Sequence, residues 1–390
     1  MSSLAPTRAS GSAGLGRRAR PRYHGRRGRR RARRAILAAG RPGRGGGRMR
    51  IGIVGAGAIG SLVGGLLTKA GHDVTLIDQW PAHVEAMRAA GLRLSGTCGE
   101  HVIPVRALHV HEASSLGAPF EVVFLAVKGY DTEWAAALAA RHLAEAGVVV
   151  VCQNGVTDER VARVVGRART LGCVITVGAA LEAPGHAVRT DRGTVGFTVG
   201  ELDGRDTPRA RRVVELLEAV APARLTTNLP GERWSKLAVN CMANPLAALS
   251  GLGSAEVRSA PGVRRVAIHL AAEAILVGRA RGHEVAPIYG LAPQRFVDAT
   301  RGVGLEALEA DLAASVRFLG GGRPSMLQDV LRGRRTEIEE LNGYVVREGR
   351  AVGVPTPFNA AVADLVRRQS AERLAPDPRL LEPLLAMLDR

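Results

Sequence analysis

The chain is 390 residues long, enough for one large hydrophobic core or two ordinary ones. Its hydrophobic fraction, 46%, is that of a globular protein, and its formal net charge of +18 at first points to a polyanionic partner. Fifteen Arg and no Lys, Asp or Glu fall within residues 1–48, however, so only +3 of that charge belongs to residues 49–390, which excludes a basic nucleic-acid-binding face there.

The first 48 residues are rich in Arg, Gly, Ala and Ser. They cannot bury enough apolar surface to offset chain entropy, which predicts disorder. After Arg33-Arg34 the apolar run covers only Ala35–Ala39, too short for an export signal, and Met49 is the expected physiological start. From there strands and helices alternate. Arg50–Gly55 reads as a strand, Ala58–Ala70 as a helix, Asp73–Asp78 as a strand and Pro81–Ala90 as a helix with Pro in its first turn. Leu92–Ser95 and Val102–Ala107 read as a hairpin excursion. Glu121–Val127 and Gly147–Cys152 are continuous apolar runs, as in strands covered on both faces, with a helix over Asp131–Ala144 between them. Shorter strands continue to about Leu225. Beyond Asn228-Leu229-Pro230 helical periodicity takes over. The expectation is an α/β fold: an N-terminal Rossmann domain over 49–228, with a doubly wound parallel sheet, and an all-helical domain over 229–390.

Cys98, Cys152, Cys173 and Cys241 form no CxxC pair and no metal-ligand spacing; free thiols in a reducing cytoplasm and no metal are expected. The uncharged stretch Leu237–Ala255 contains Asn240, Asn244, Pro245 and Ser250, which suits a buried helix and not a membrane span.

Several segments carry chemistry. Gly55-Ala56-Gly57-Ala58-Ile59-Gly60 matches GxGxxG between a strand and a helix, with Asp78 following at the end of the next strand. Gly55 permits the tight turn, Gly57 lets backbone N–H groups approach a pyrophosphate, and Gly60 lets the helix pack on the strand. Lys128 and Asn154 each follow a covered strand, at the edge where ligands of an open parallel sheet sit. From position alone a solvated Lys is an equally good reading at Lys128, and a plain Asn-Gly turn is the better one at Asn154. Lys236, Asn240 and Asn244 stand at i, i+4 and i+8 on one helix face, amid apolar neighbours. A Lys in that company must be paired or aimed into a wet cleft. Ser325 is placed to cap a helix, and Glu337 is one of several nearby carboxylates.

Together these segments resemble the ketopantoate reductase (2-dehydropantoate 2-reductase) family, from Met49 to about Asn359. The resemblance implies reduction of a 2-oxo acid, 2-dehydropantoate, to (R)-pantoate in a cleft between the two domains. It implies that Lys236 is the catalytic lysine and Glu337 its partner acid. It also implies that Asn240, Asn244 and Ser325 contact substrate, and that Lys128 and Asn154 lie near cofactor and substrate. The family default cofactor is NADPH, commonly with an Arg after the second strand. Here that position reads Asp78-Gln79-Trp80-Pro81, which favours NADH. No membrane or nucleic-acid partner is expected. A homodimer is compatible with the sequence, which does not fix the oligomeric state.

Overall fold

The computed structural model describes residues 48–191, 196–316 and 323–389; the expected disordered extension falls, except for Arg48, outside them. In chain order the first half runs β1 (Arg50–Val54), α1 (Ala58–Lys69), β2 (Asp73–Asp78), α2 (Pro81–Ala90), β3 (Leu92–Gly96), β4 (His101–Ile103) and β5 (Arg106–His109). It continues through β6 (Phe120–Leu125), α3 (Thr132–Arg141), β7 (Leu143–Val151), α4 (Asp158–Val165), β8 (Thr170–Ile175), β9 (Ala179–Ala183) and β10 (His186–Arg189). It closes with β11 (Phe197–Glu201), α5 (Pro208–Glu218) and β12 (Ala223–Leu225). The main sheet has the order β12-β11-β8-β7-β6-β1-β2-β5. Chain order reverses between β1 and β6, which opens the ligand crevice of a doubly wound sheet at their carboxyl ends. The central strands β1, β6 and β7 are covered on both faces, as their unbroken Val, Ile and Phe runs require.

Two sequence expectations are corrected. The expected hairpin forms between β3 and β4, but it does not extend to Ala107: Arg106–His109 pairs parallel to β2 and forms the edge of the main sheet. The excursion sheet is instead β4-β3-β10-β9, so Leu92–Gly96 finds its second partner some ninety residues away in sequence, beyond the reach of local patterning. The main sheet is also not wholly parallel. β11 returns antiparallel to β8, because the chain between them is a hairpin and not a helical crossover.

From Leu229 the regular structure is helical: α6 (Leu229–Ser250), α7 (Ser254–Ser259), α8 (Pro261–Ala280), α9 (Pro293–Ala299), α10 (Leu305–Ser315), α11 (Ser325–Leu331), α12 (Asn342–Val352) and α13 (Pro357–Glu372). α6 is the axis of this half. Asn228 caps it, accepting from the Gly231 N–H at 3.0 Å. Its Trp234 is fully buried against α8, where a side chain on Gly278 would come within 2.9 Å of the indole. Along the far side, Glu273 of α8 closes the start of α13 by accepting the N–H groups of Phe358 and Asn359, each at 2.8 Å.

Candidate active site

The Gly-rich turn is built for a diphosphate. Gly55 has φ of +92°, and a Cβ there would lie 2.7 Å from the Val127 nitrogen. A Cβ on Gly60 would lie 1.9 Å from the Gly55 carbonyl oxygen. A Cβ on Gly57, in contrast, would meet nothing within 4 Å. The two outer glycines therefore serve packing, while the middle one faces open space at the start of α1. No side chain caps that helix end and no acid lies in its first turn, so its N–H groups and dipole are left for an anion. The residues present fit a dinucleotide. His83 of α2 holds the turn from behind. The Gly185 N–H donates to its Nδ1 at 2.8 Å, which leaves Nε2–H to donate to the Ala56 carbonyl, also at 2.8 Å. Burial lowers the His83 pKa, in keeping with this neutral form. Ala58 opens α1, and Ile59 is half-buried on it.

Asp78 ends β2, one carboxylate oxygen accepting from the Trp80 N–H at 2.8 Å. Among the described residues no cation forms an ion pair with it. The guanidinium carbon of Arg334 nevertheless lies 5.0 Å from the centre of the Trp80 ring, so tertiary structure brings an arginine to this end of the crevice that β2 itself lacks.

Lys128 and Asn154 follow β6 and β7 at the same sheet edge, and each meets a residue from the helical half. Lys128 Nζ is 2.5 Å from Asp329 Oδ2 and 3.1 Å from Glu337 Oε2. The other Glu337 oxygen accepts the Gly129 N–H at 2.8 Å. Burial lowers the Lys128 pKa, but the two carboxylates outweigh it and the ammonium is held above its usual range. The pairing expected for Glu337 is therefore not the one present: its carboxylate is drawn to Lys128, with a backbone N–H fixing its second oxygen, and not to Lys236. Asn154 sits in the predicted turn, with Gly155 at φ of +80°, and its Oδ1 accepts from Asn240 Nδ2 at 3.2 Å.

Lys236, Asn240 and Asn244 share one face of α6, as their spacing requires. Asn240 and Asn244 are buried. Among the described residues Lys236 has no carboxylate within ion-pair distance, and neither Lys236 nor Asn244 meets a hydrogen-bond partner. Burial first, and then the charge of Arg258, pull the Lys236 pKa down to about 8. Ser325 is the first residue of α11 and does not cap it; Pro324 holds the cap position, so the Ser325 hydroxyl is not used that way. Sequence reasoning did not single out Asp329, Arg258 or Arg334. One compositional signal did mark the lysines. Of 54 Lys and Arg residues only Lys69, Lys128 and Lys236 are Lys, and two of these three lie at this site. In a chain that elsewhere uses Arg for positive charge, a retained Lys signals a need for a compact ammonium whose pKa can be tuned.

Comparisons with known proteins show the family. The family described as Ketopantoate reductase PanE/ApbA matches residues 51–204, and its C-terminal counterpart matches residues 228–370. A 2-dehydropantoate 2-reductase of Archaeoglobus fulgidus is 35% identical over 326 residues, covering 82% of this chain and 97% of its own. The chain belongs to the ketopantoate reductase family. It is accordingly an oxidoreductase with a nicotinamide cofactor. Among solved structures, a ketopantoate reductase of the same family from Ralstonia eutropha superposes with a TM-score of 0.68 at 29% identity, over 83% of this chain and 99% of that one. The fold is also shared with a D-mandelate dehydrogenase solved with NADH and anilino(oxo)acetate, at a TM-score of 0.70 and 22% identity, over 83% and 99%. Among the described residues no helix is long and apolar enough to cross a membrane.

Proposed function

We propose that this chain reduces 2-dehydropantoate to (R)-pantoate, a step towards pantothenate and coenzyme A, with Lys236 as the catalytic acid. The observation that carries the reading is an ammonium that among the described residues has no carboxylate partner, sharing its helix face with Asn240 and Asn244, the first of which donates to Asn154 in the loop after β7. The nicotinamide, when bound, supplies hydride to the 2-oxo carbon. Negative charge then develops on the carbonyl oxygen. Lys236 Nζ stabilises that oxygen and passes it a proton, afterwards recovering one from solvent. Asn154, Asn240, Asn244 and Ser325 offer neutral donors and acceptors to hold the hydroxyl and carboxylate of the substrate. Glu337 and Asp329 fix Lys128 at the mouth of the crevice, where it lies near both cofactor and substrate. Four free thiols, three of them buried, suit the reducing cytoplasm in which we place the reaction. The test is initial-rate kinetics on a panel of 2-oxo acids with NADH and NADPH. 2-Dehydropantoate should have the highest kcat/KM, and a clear preference for another acid rejects the assignment.

The cofactor we infer to be favoured is NADH. Asp78 can accept from ribose hydroxyls and repels a 2′-phosphate, and among the described residues no ion pair neutralises its carboxylate. One such repulsion at a partly exposed site is on the order of 1–3 kcal/mol, about 5- to 150-fold in kcat/KM. Asp78→Ala should move the cofactor ratio towards NADPH by a factor in that range. A wild-type preference for NADPH overturns the inference and makes Arg334 the residue to examine.

A further inference from the structure

Arg258, on α7, is only 3% exposed, yet no carboxylate pairs with it among the described residues. Its neighbours in sequence are treated differently, for Arg264 and Arg265 both reach Glu309. Among the described residues the Arg258 guanidinium donates only to hydroxyls: Nη1 to Ser315 Oγ at 3.4 Å and Nη2 to Tyr289 Oη. Its Nε is buried with no acceptor among the described residues. Hydroxyls orient a guanidinium but do not neutralise it, and a buried cation left in that condition calls for an explanation.

Tyr289 adds a second observation. Its φ is +53°, and Gly290 follows at +79°. The pair forms a two-residue turn in which Ile288 and Leu291 exchange both backbone hydrogen bonds. That turn is built for Asn-Gly or Gly-Gly, and a bulky aromatic residue is disfavoured at its first position. Here the strained backbone lays the Tyr289 ring against the guanidinium, 4.2 Å from ring centre to Cζ, and brings its hydroxyl onto Nη2. The segment that carries Tyr289 is seated beside Lys236: the Ser235 hydroxyl donates to the Pro287 carbonyl at 2.9 Å, and the Ala286 N–H to the Gly231 carbonyl at 3.1 Å. Two unneutralised cations thus stand near one another in the helical half. A 2-oxo acid carries two oxygen-rich groups on adjacent carbons: the carbonyl, which must meet a proton donor, and the carboxylate, which is a permanent anion.

We propose that Arg258, held by Tyr289 and Ser315, is the specificity-determining residue that recognises the carboxylate of the 2-oxo acid while Lys236 faces the carbonyl oxygen. This rests on the reading of the chain as a 2-oxo acid reductase. It replaces the expectation that neutral side chains alone hold the carboxylate, and it gives the site a charge-based preference for acids over their esters.

The experiment compares wild type, Arg258→Gln and Arg258→Lys, each with its cofactor and each checked for folding by thermal unfolding. KM and kcat are measured for 2-dehydropantoate, and kcat/KM for 3-methyl-2-oxobutanoate against its methyl ester. Losing one partner of a buried charged contact predicts a rise in KM of about 30-fold or more in Arg258→Gln, with kcat changed far less. The acid-over-ester preference should collapse in Arg258→Gln and be retained in part in Arg258→Lys. Should the Gln variant not fold, the Lys variant carries the test, because a single ammonium in place of the planar fork must weaken binding of the acid and not of the ester. A wild-type KM and an unchanged acid-over-ester ratio in a folded Arg258→Gln protein, or in the Lys variant if that must stand in, overturn the proposal. Wild type that turns over another 2-oxo acid but not 2-dehydropantoate overturns the substrate assignment alone, and the Arg258 comparison is then read on that acid. Wild type inactive on every 2-oxo acid overturns both.

Discussion

Lys236 is charged where its surroundings oppose charge, and that opposition is useful. A lysine at its ordinary pKa is a poor proton donor near neutrality, whereas one drawn down to about 8 by burial and a neighbouring cation is matched to the pH at which it works. The ammonium is the competent form, so kcat should fall as pH rises through about 8 and be flat below it. A pH–rate profile checks this: Lys236→Arg, which does not titrate in that range, should lose the alkaline limb, and a wild-type limb well above pH 9 contradicts it. Lys236→Ala should lower kcat by roughly 10²-fold or more while cofactor affinity is kept, since the substitution leaves the Gly-rich turn unaltered. Unaltered kcat/KM in that variant removes Lys236 from the chemistry. The glycines of the turn separate in the same way. Gly57→Ala places its Cβ in open space, so it should fold as wild type yet bind cofactor about tenfold or more weaker by titration. Gly60→Ala would drive a Cβ into the Gly55 carbonyl and should fail at the level of folding.

At the scale of elements, the helices of the second half are fastened end to side by buried polar groups. Glu273 is the clearest case. It accepts two backbone N–H groups at the start of α13 and the Asn359 side-chain amide at 2.7 Å. Burial raises its pKa to about 7, and these hydrogen bonds only partly oppose that shift. Because the folded-state pKa lies above the unfolded value of 4.5, the folded state binds the extra proton between the two. Stability linked to Glu273 is thus fully present below pH 4.5 and is lost as pH rises through about 7, on the order of 3 kcal/mol in all. Urea unfolding across that range should show the decline in wild type and a flatter profile in Glu273→Gln. Glu273→Ala orphans both N–H groups and should cost about 2–4 kcal/mol at any pH. Equal slopes in wild type and Glu273→Gln place the titration elsewhere.

At the scale of the whole molecule, one buried arginine joins the two halves. Arg233, on α6 one turn before Lys236, makes a two-pronged contact with Asp158 at 2.6 and 2.7 Å and donates to the carbonyls of Val151 and Gln153 at the end of β7. Both charged groups are almost fully buried. The contact fixes the helix that carries Lys236 against the loop that carries Asn154. Arg233→Ala should cost about 3–5 kcal/mol, because it strands the Asp158 carboxylate. Arg233→Lys should recover little of this, since an ammonium cannot reproduce the planar fork. Both are read by denaturant unfolding, and near-wild-type stability in Arg233→Ala refutes the anchoring role.

The sequence by itself determined whatever is local and periodic. The Gly-rich turn is legible because only glycine tolerates φ of +92° at Gly55 and the approach of Gly60 to a carbonyl. The shared face of Lys236, Asn240 and Asn244 follows from helix period alone. The paired covered strands follow from their unbroken apolar runs. What the tertiary structure alone decided is which distant groups meet. Lys128 and Asp329 are 201 residues apart and carry no mark of each other until the fold closes. Glu337 is one carboxylate among several, and its choice of Lys128 is set by a backbone N–H that no pattern announces. Arg334 reaches Trp80, and β5 joins β2, by the same kind of long-range placement. Ion pairing acts through space and leaves no periodic trace, so a charged residue's partner is written in the topology and not in its neighbours along the chain.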